Sequence, residues 1–178
     1  MLILLDFETT GLTLPSSADL ELQPKIIEIG AIKVSDRGSI VAELGELIDP
    51  KQEISAEITK ITGIKPDDLR GKRCIEEVIP ELADFFLGAH TLVAHNLAFD
   101  RDVLYFELLR TGWERKFPFP PNQVCTVDST MHIKGRRMKL TELYEHTQGK
   151  PLAQTHRALD DVKALYECYK AITHADKN

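Results

Sequence analysis

Cysteine is scarce in this sequence and follows no pattern typical of a disulfide framework or a zinc site. Cys74, Cys125 and Cys168 are odd in number, far apart and free of any C-x-x-C pair. Disulfide scaffolds and structural zinc sites both depend on repeated, closely spaced cysteines. The sequence therefore predicts three reduced, buried thiols.

Long apolar runs are also missing. No stretch reaches the roughly 18 consecutive apolar residues that a membrane-spanning helix needs. The first residues lack the basic segment, apolar core and cleavage site of a signal peptide. We therefore expect no membrane partner and a cytoplasmic location.

An excess of positive charge is absent as well, since 28 acidic and 22 basic residues give a net charge of −6. This balance argues against a protein that holds nucleic acid through bulk positive charge. Carboxylates gathered around metal ions would themselves add negative charge, so the acidic balance does not exclude a phosphate-containing substrate. With 178 residues, 43% of them hydrophobic, the chain can bury one sizeable core. We expect a single domain over residues 1–178.

The first predicted strand carries two acids where apolar residues are expected. Residues 2–5 are apolar, and Asp6, Phe7 and Glu8 follow before the turn signal at Gly11. Because side chains alternate along a strand, Asp6 and Glu8 share one face. Their charges repel and are costly to bury unless a cation neutralises them, and oxygen ligands suit Mg²⁺ or Mn²⁺. The alternative is that they only cap a following helix.

Apolar periodicity along the rest of the chain predicts an α/β fold. Strands are expected at 26–34, 40–49, 91–95 and 124–127, and helices at 55–62, 66–70, 75–87, 97–110, 140–146 and 158–172. The turn at 35–39 joins the second and third strands in an antiparallel hairpin. The proline-containing stretches 12–24 and 113–122 are predicted loops.

Polar residues near strand ends have two interpretations each. Asn96 is a suitable N-cap for the helix at 97–110, which places Asp100 early in that helix, and Asp128 is expected to cap the segment after the fifth strand. The basic stretch 134–139, with Arg136 and Arg137 at its centre, is either a solvated turn or a surface that steers a phosphate backbone.

The last helix separates two neighbouring acids. Its apolar stripe places Asp161 at the edge that faces the protein and Asp160 on the face toward water. His156 has two possible orientations. It points outward beside Asp160 if the helix includes it, or inward if it precedes the helix in a loop, and periodicity does not decide between them.

Three sequence pieces occur in order along the chain: Asp6-x-Glu8-Thr9-Thr10-Gly11, His95-Asn96-x-x-Phe99-Asp100 and His156-x-x-x-x-Asp161. Together they resemble the DEDDh family of 3′–5′ exonucleases, which includes polymerase proofreading subunits and small RNA-trimming exonucleases. The similarity extends to the strand at 26–34, to ITGI at 61–64 and to KLTELY at 139–144.

This resemblance implies a ribonuclease H-like fold, in which a mixed five-stranded sheet with antiparallel strands one to three is flanked by helices. It implies that Asp6, Glu8, Asp100 and Asp161 hold two Mg²⁺ or Mn²⁺ ions and that His156 is the general base. Two-metal sites are well suited to hydrolysing phosphodiesters, and an imidazole, which titrates near pH ~6.5, can accept the water's proton.

The resemblance further implies an enzyme that releases 5′-mononucleotides from single-stranded 3′ ends. Thr9, Thr10, Gly11 and Asn96 would then contact the substrate, although Gly11 could instead only form the turn and Asn96 only cap its helix. The loop at 12–24 is longer than is usual for the family. The sequence does not distinguish a DNA substrate from an RNA substrate, and it does not identify a polymerase partner. The alternatives from other classes are a module that binds nucleic-acid ends without cutting and a small-molecule phosphoesterase.

Overall fold

The structure, a computed structural model, describes residues 1–153 and 156–175, without the side chains of the last two of these residues. The strands are β1 (Leu2–Thr9), β2 (Ile26–Val34), β3 (Ile40–Leu47), β4 (Thr91–Ala94) and β5 (Asn122–Cys125). The helices are α1 (Ala56–Thr62), α2 (Pro66–Leu69), α3 (Ile75–Phe86), α4 (Leu97–Thr111), α5 (Thr126–Ser129), α6 (Met131–Lys134), α7 (Leu140–Gln148) and α8 (Ala158–Ala175).

The strands form one mixed sheet in the order β3-β2-β1-β4-β5. The strand β1 pairs antiparallel with β2, and β2 pairs antiparallel with β3. On its other side β1 pairs parallel with β4, and β4 pairs parallel with β5. The predicted hairpin and the predicted five-stranded sheet are therefore confirmed, and β1 lies at the centre of the sheet.

The central strand β1 is buried on both faces, but the two faces differ. Ile3, Leu5 and Phe7 belong to the core cluster that packs against α3 and α4. Leu4 belongs to the second cluster, which contains the apolar residues of α7 and α8. Because strand side chains alternate, Asp6 and Glu8 share the face of Leu4. The two acids of β1 therefore point toward the side of the sheet that α8 covers.

The first turn of α8 lies directly on the sheet at Gly30 of β2. A Cβ atom at position 30 would lie 2.2 Å from the backbone carbon of Ala158, so only glycine allows this approach. Gly45 of β3 allows a similar contact, since its Cβ would lie 2.9 Å from Leu159 Cδ2. Two strand glycines thus set how closely α8 packs against the sheet.

A third, smaller cluster holds α1 and α2 beside the sheet through Ile27, Ile54, Ile64 and Leu69. Ser55 caps α1, because its hydroxyl accepts a hydrogen bond from Ile58 N at 3.2 Å. This packing places α1 next to the carboxyl end of β1.

The loop at 12–24 has internal order despite its length. It contains a short 3₁₀ turn at Leu20–Leu22. The side chain of Gln23 exchanges hydrogen bonds with the backbone N–H and carbonyl of Leu14, at 2.9 and 3.2 Å. Arg110 of α4 donates to the carbonyls of Leu20, Gln23 and Pro24. The loop is therefore fastened to α4.

Some local predictions were wrong. The strand β5 ends at Cys125, so Thr126 and Val127 belong to α5 rather than to the strand. Asp128 lies inside α5 and does not cap the next segment. The three thiols are free as expected, but only Cys168 is fully buried. None of the helices in the described part of the chain is long and apolar enough to cross a membrane.

Candidate active site

Three carboxylates from two distant parts of the sequence meet at the carboxyl end of β1. Asp6 and Glu8 of β1 and Asp161 of α8 each place one oxygen within 4.8 Å of the others. Among the described residues this is the one group of acids, histidines and cysteines that is close enough to share a metal ion. We call these three residues the acid cluster.

Asp100 lies beside the acid cluster on the first turn of α4. Its side chain is buried and its Oδ1 accepts a hydrogen bond from Phe7 N at 3.2 Å. Its charge acts on Asp6, as the pKa shift of Asp6 shows. The structure therefore brings three of the four predicted ligands together. It places the fourth, Asp100, next to them, with one carboxylate oxygen hydrogen-bonded to the backbone of β1.

The electrostatics of these acids are unfavourable without a cation. Burial raises the pKa of Asp6 well above its usual range, and repulsion by Asp100 adds to this shift. Burial likewise raises the pKa of Asp100, although the hydrogen bond from Phe7 N opposes the change. The pKa of Glu8 rises to about 7, first through burial and then through repulsion by Asp161. The site favours either protons or bound cations.

The donor set fits a hard divalent cation. All ligands that the acid cluster offers are carboxylate oxygens, which Mg²⁺ and Mn²⁺ prefer over nitrogen or sulfur. A bound cation would also remove the repulsion that raises the pKa of Glu8. Asp6, Glu8 and Asp161 are therefore suited to hold such an ion.

Glu28 is a site residue that the sequence analysis missed. It lies directly opposite Glu8 in the β1–β2 pair, and it is almost completely buried. Its Oε1 accepts a hydrogen bond from Arg157 Nε at 2.8 Å, and its Oε2 accepts one from Ala158 N at 3.1 Å. The available signal was an acid in the strand IIEIGAIKV, whose other residues are apolar or glycine except for Lys33.

The last helix places its acids as predicted. Asp161 is buried at 6% exposure and joins the acid cluster, whereas Asp160 is exposed. His156 precedes α8 in a left-handed backbone conformation, with φ of 51°, so the interpretation as a continuous helix is wrong. The alternative is only half right: His156 precedes the helix, but its side chain is exposed rather than turned into the protein.

A cleft of about 570 Å³ adjoins the acid cluster at Glu8. The run Phe7–Leu12 lines one side, and Ile58, Ile61 and Phe99 contribute apolar surface. The predicted substrate residues Thr9, Thr10 and Gly11 all belong to this lining. At position 11 a Cβ would meet no atom within 4 Å, and φ is not left-handed, so nothing within the described fold demands glycine there.

The other predicted substrate residue, Asn96, does not cap α4 with its side chain. Its backbone adopts a left-handed conformation with φ of 72°, and its Oδ1 accepts a hydrogen bond from Arg137 Nη2 at 2.6 Å. Arg136 of the same basic stretch pairs with Glu142 of α7. Both arginines thus have local structural partners.

Fold and site together define a class of protein. The sheet order, with carboxylates gathered at the carboxyl edge of its central strand, is that of a ribonuclease H-like domain. Of the five residues of the predicted DEDDh pattern, Asp6, Glu8 and Asp161 meet in the acid cluster, Asp100 lies beside it and His156 precedes α8.

The sequence profile of the RNase T exonuclease family matches residues 3–169. The chain therefore belongs to this exonuclease family. A DNA polymerase III of PolC type from Thermotoga petrophila is 38% identical over 170 residues, which are 94% of the chain. The chain spans only 11% of the length of that polymerase.

Solved structures share the fold. Exonuclease X in complex with a 5′-overhanging duplex DNA is 26% identical, with a TM-score of 0.72 over 100% of this chain and 94% of that one. The nuclease domain of 3′hExo, described as a DEDDh family member bound to rAMP, is 18% identical with a TM-score of 0.73. It covers 99% of this chain and 92% of that domain. The second likeness concerns the fold alone.

Proposed function

We propose that this protein hydrolyses phosphodiester bonds at single-stranded 3′ ends of nucleic acid and releases 5′-mononucleotides. One observation carries the proposal: the acid cluster of Asp6, Glu8 and Asp161 adjoins, at Glu8, a cleft of about 570 Å³. Carboxylates beside such a cleft are suited to a polyanionic substrate only when divalent cations are present.

In this proposal the residues of the acid cluster hold two Mg²⁺ or Mn²⁺ ions, with Asp100 as the fourth carboxylate. Such ions supply Lewis-acid stabilisation of the phosphate and ease deprotonation of a water molecule. Asp6 and Glu8 are held rigidly because β1 is the central strand of the sheet. Asp161 is held by the packing of α8 on Gly30.

His156 is the proposed general base, which accepts the proton of the attacking water. Its position supports this role, because it is exposed and precedes the helix that carries Asp161. A side chain at the surface can reach a water bound with the substrate, whereas one packed in the core could not. The left-handed backbone at this residue also fits a functional constraint, since non-glycine residues seldom adopt it.

The terminal nucleotide is proposed to occupy the cleft. Thr9 uses its hydroxyl to donate to Gly11 O at 2.7 Å, and the Thr10 hydroxyl accepts from Lys25 N at 3.0 Å, which fixes the shape of this stretch. The open space at Gly11 then lets a nucleotide approach the backbone closely. The DNA polymerase relative favours DNA as the substrate. We also propose a polymerase partner and a cytoplasmic location.

The test uses oligonucleotides of DNA and RNA carrying a fluorophore at the 5′ end. In Mg²⁺ or Mn²⁺ we expect a ladder of progressively shortened products, because nucleotides leave from the unlabelled 3′ end. With the fluorophore on the last nucleotide of the 3′ end, labelled mononucleotide should instead appear at once. Excess chelator should abolish both patterns.

Structured substrates serve as controls for strand preference. A blunt duplex should be shortened more slowly than the single strand, since its terminal bases must separate first. Absence of shortening on every substrate, in either metal, would overturn the proposal. Cleavage within a circular single strand would show an endonuclease instead.

A further inference from the structure

Glu28 is a buried carboxylate next to the acid cluster but outside it. It lies opposite Glu8 across the β1–β2 pair, and its side chain is 4% exposed. Among the described residues it is not part of the group whose oxygens lie close enough to share a metal ion. A buried carboxylate needs partners, and those of Glu28 come from α8.

Each oxygen of this carboxylate binds a different part of the start of α8. Oε1 accepts from Arg157 Nε at 2.8 Å and lies 2.7 Å from Arg157 Nη2. Oε2 accepts from the backbone N–H of Ala158 at 3.1 Å. Glu28 therefore holds one side chain and one of the free N–H groups at the helix N-terminus. We call this arrangement of Glu28, Arg157 and the Ala158 amide the clamp.

The clamp acts where the backbone changes direction. His156 has a left-handed conformation and is followed by Arg157, after which the helix begins at Ala158. The contact of Ala158 with Gly30 leaves this turn no room to move toward the sheet. Because Arg157 and Ala158 follow His156 directly in sequence, the clamp constrains where His156 lies relative to α8, whose packing on Gly30 holds Asp161.

We propose that Glu28 and Arg157 form a positioning pair for the hydrolytic reaction. In this role Glu28 neither binds metal nor touches substrate, and Arg157 neutralises Glu28 so that the charge of the acid cluster is left for cations. The clamp sets the placement of His156 relative to Asp161. This inference rests on the proposed function.

The variants Glu28→Gln, Arg157→Gln and their double form the central experiment. Each single change should lower kcat by about 10²-fold with little change in KM, since a displacement of about 1 Å can have this effect. The double variant should lose about as much as either single one, because the two side chains act as one unit. Magnesium binding measured by calorimetry should be kept in all three.

The amide of Ala158 gives a measurement that needs no activity. Its N–H donates to Glu28, so its hydrogen exchange should speed up in Glu28→Gln and Arg157→Gln. Glu43→Gln is the matched control, because Glu43 of β3 pairs with Lys163 of α8 at 2.7 Å in the same helix-to-sheet interface. It should leave kcat and the Ala158 exchange rate unchanged.

Several results would overturn the clamp. Loss of magnesium binding in Glu28→Gln alone would make Glu28 a metal ligand, and a rise of KM in Arg157→Gln alone would make Arg157 a substrate contact. Wild-type exchange at Ala158 in both variants would also contradict it. If the wild-type protein cuts nothing, the proposed function fails, while exchange and calorimetry still test the clamp.

Discussion

Carboxylates are brought together at two places in this molecule, and their negative charge is balanced differently at each place. On the outer part of the sheet, Glu46 of β3 and Glu81 of α3 share Arg73, which donates to both oxygens of each at 2.6 to 3.0 Å. In the acid cluster, Asp6, Glu8 and Asp161 converge, and burial and mutual repulsion raise the pKa of Asp6 and Glu8. Arg157, whose charge acts on Glu8, donates a hydrogen bond to Glu28.

The pKa shifts have opposite signs at the two places. Hydrogen bonds from Arg73 lower the pKa of Glu81, whereas burial and repulsion raise the pKa of Glu8 to about 7. The first arrangement stabilises the fold, and the second is unfavourable until something positive binds. Where burial and repulsion raise the pKa of gathered acids, as at Glu8, the site is a candidate for binding a cation.

The largest expected effect comes from removing one acid of the cluster. Asp6→Asn should abolish cleavage, because it removes a proposed metal ligand. It should also raise the melting temperature of the protein in chelator, since burial and repulsion disfavour the charged form of Asp6 in the native state. Calorimetry with Mg²⁺ and thermal unfolding in chelator measure the two effects.

Asp160→Asn is the control for this change. Asp160 is adjacent to Asp161 in sequence but exposed, so its replacement should leave metal binding and cleavage close to wild type. Asp161→Asn should behave like Asp6→Asn. An inactive Asp160 variant with an active Asp161 variant would reverse the assignment of the two acids.

The second effect concerns His156. If His156 is the general base, His156→Ala should lower the cleavage rate about 10²- to 10⁴-fold, because general base catalysis contributes about that much. Magnesium affinity should change little, which separates this variant from the changes in the acid cluster. His132→Ala, at another exposed histidine in α6, is the control. Full activity of the His156 variant would remove the histidine from the mechanism.

The fold was largely predictable because its signals are local. The strand at 26–34 and the helix around Val78, Ile79 and Leu82 follow the periodicity of their buried faces. The end of β5 was missed because VCTV continues the β-branched pattern, while the α5 backbone begins at Thr126. Tertiary contacts outweigh local preference there.

The sequence predicted which carboxylates form the acid cluster, but not the residues that hold the surrounding structure in place. Alternation showed that Asp6 and Glu8 share a face, and the helical stripe showed that Asp161 turns inward, as the structure confirms. Glu28 was not predicted, because strand register alone places it opposite Glu8. The partner of Asn96 was also missed, since Arg137 is 41 residues away in sequence.

A third prediction follows from the raised pKa of Glu8. Its pKa rises from the ordinary value of 4.5 to about 7 on folding, so the native state binds the proton more tightly than the unfolded state. Its contribution to stability is therefore greatest at low pH and declines as pH rises through the interval from 4.5 to about 7. Chemical unfolding in chelator should show this decline.

Glu8→Gln isolates that contribution, because the amide does not titrate. The difference in free energy of unfolding between wild type and this variant should change across the interval and level off above it. Saturating Mg²⁺ should oppose the decline, since the metal competes with the proton for the carboxylate. A difference that is flat with pH would contradict the shift.

The smallest expected effect tests the other side of the comparison. Arg73→Met removes the cation between Glu46 and Glu81 while keeping much of the apolar stem, so the two carboxylates should repel and the melting temperature should fall. The loss should be modest, because Arg73 and Glu81 are 40% and 60% exposed, and salt should reverse much of it by screening. Lys163→Met, which breaks a single surface pair with Glu43, is the control and should lower the melting temperature less.

Calorimetry should detect no new Mg²⁺ site in Arg73→Met, because the freed Glu81 can turn into water. Tight metal binding there would mean that any two neighbouring acids suffice, and the contrast with the acid cluster would fail.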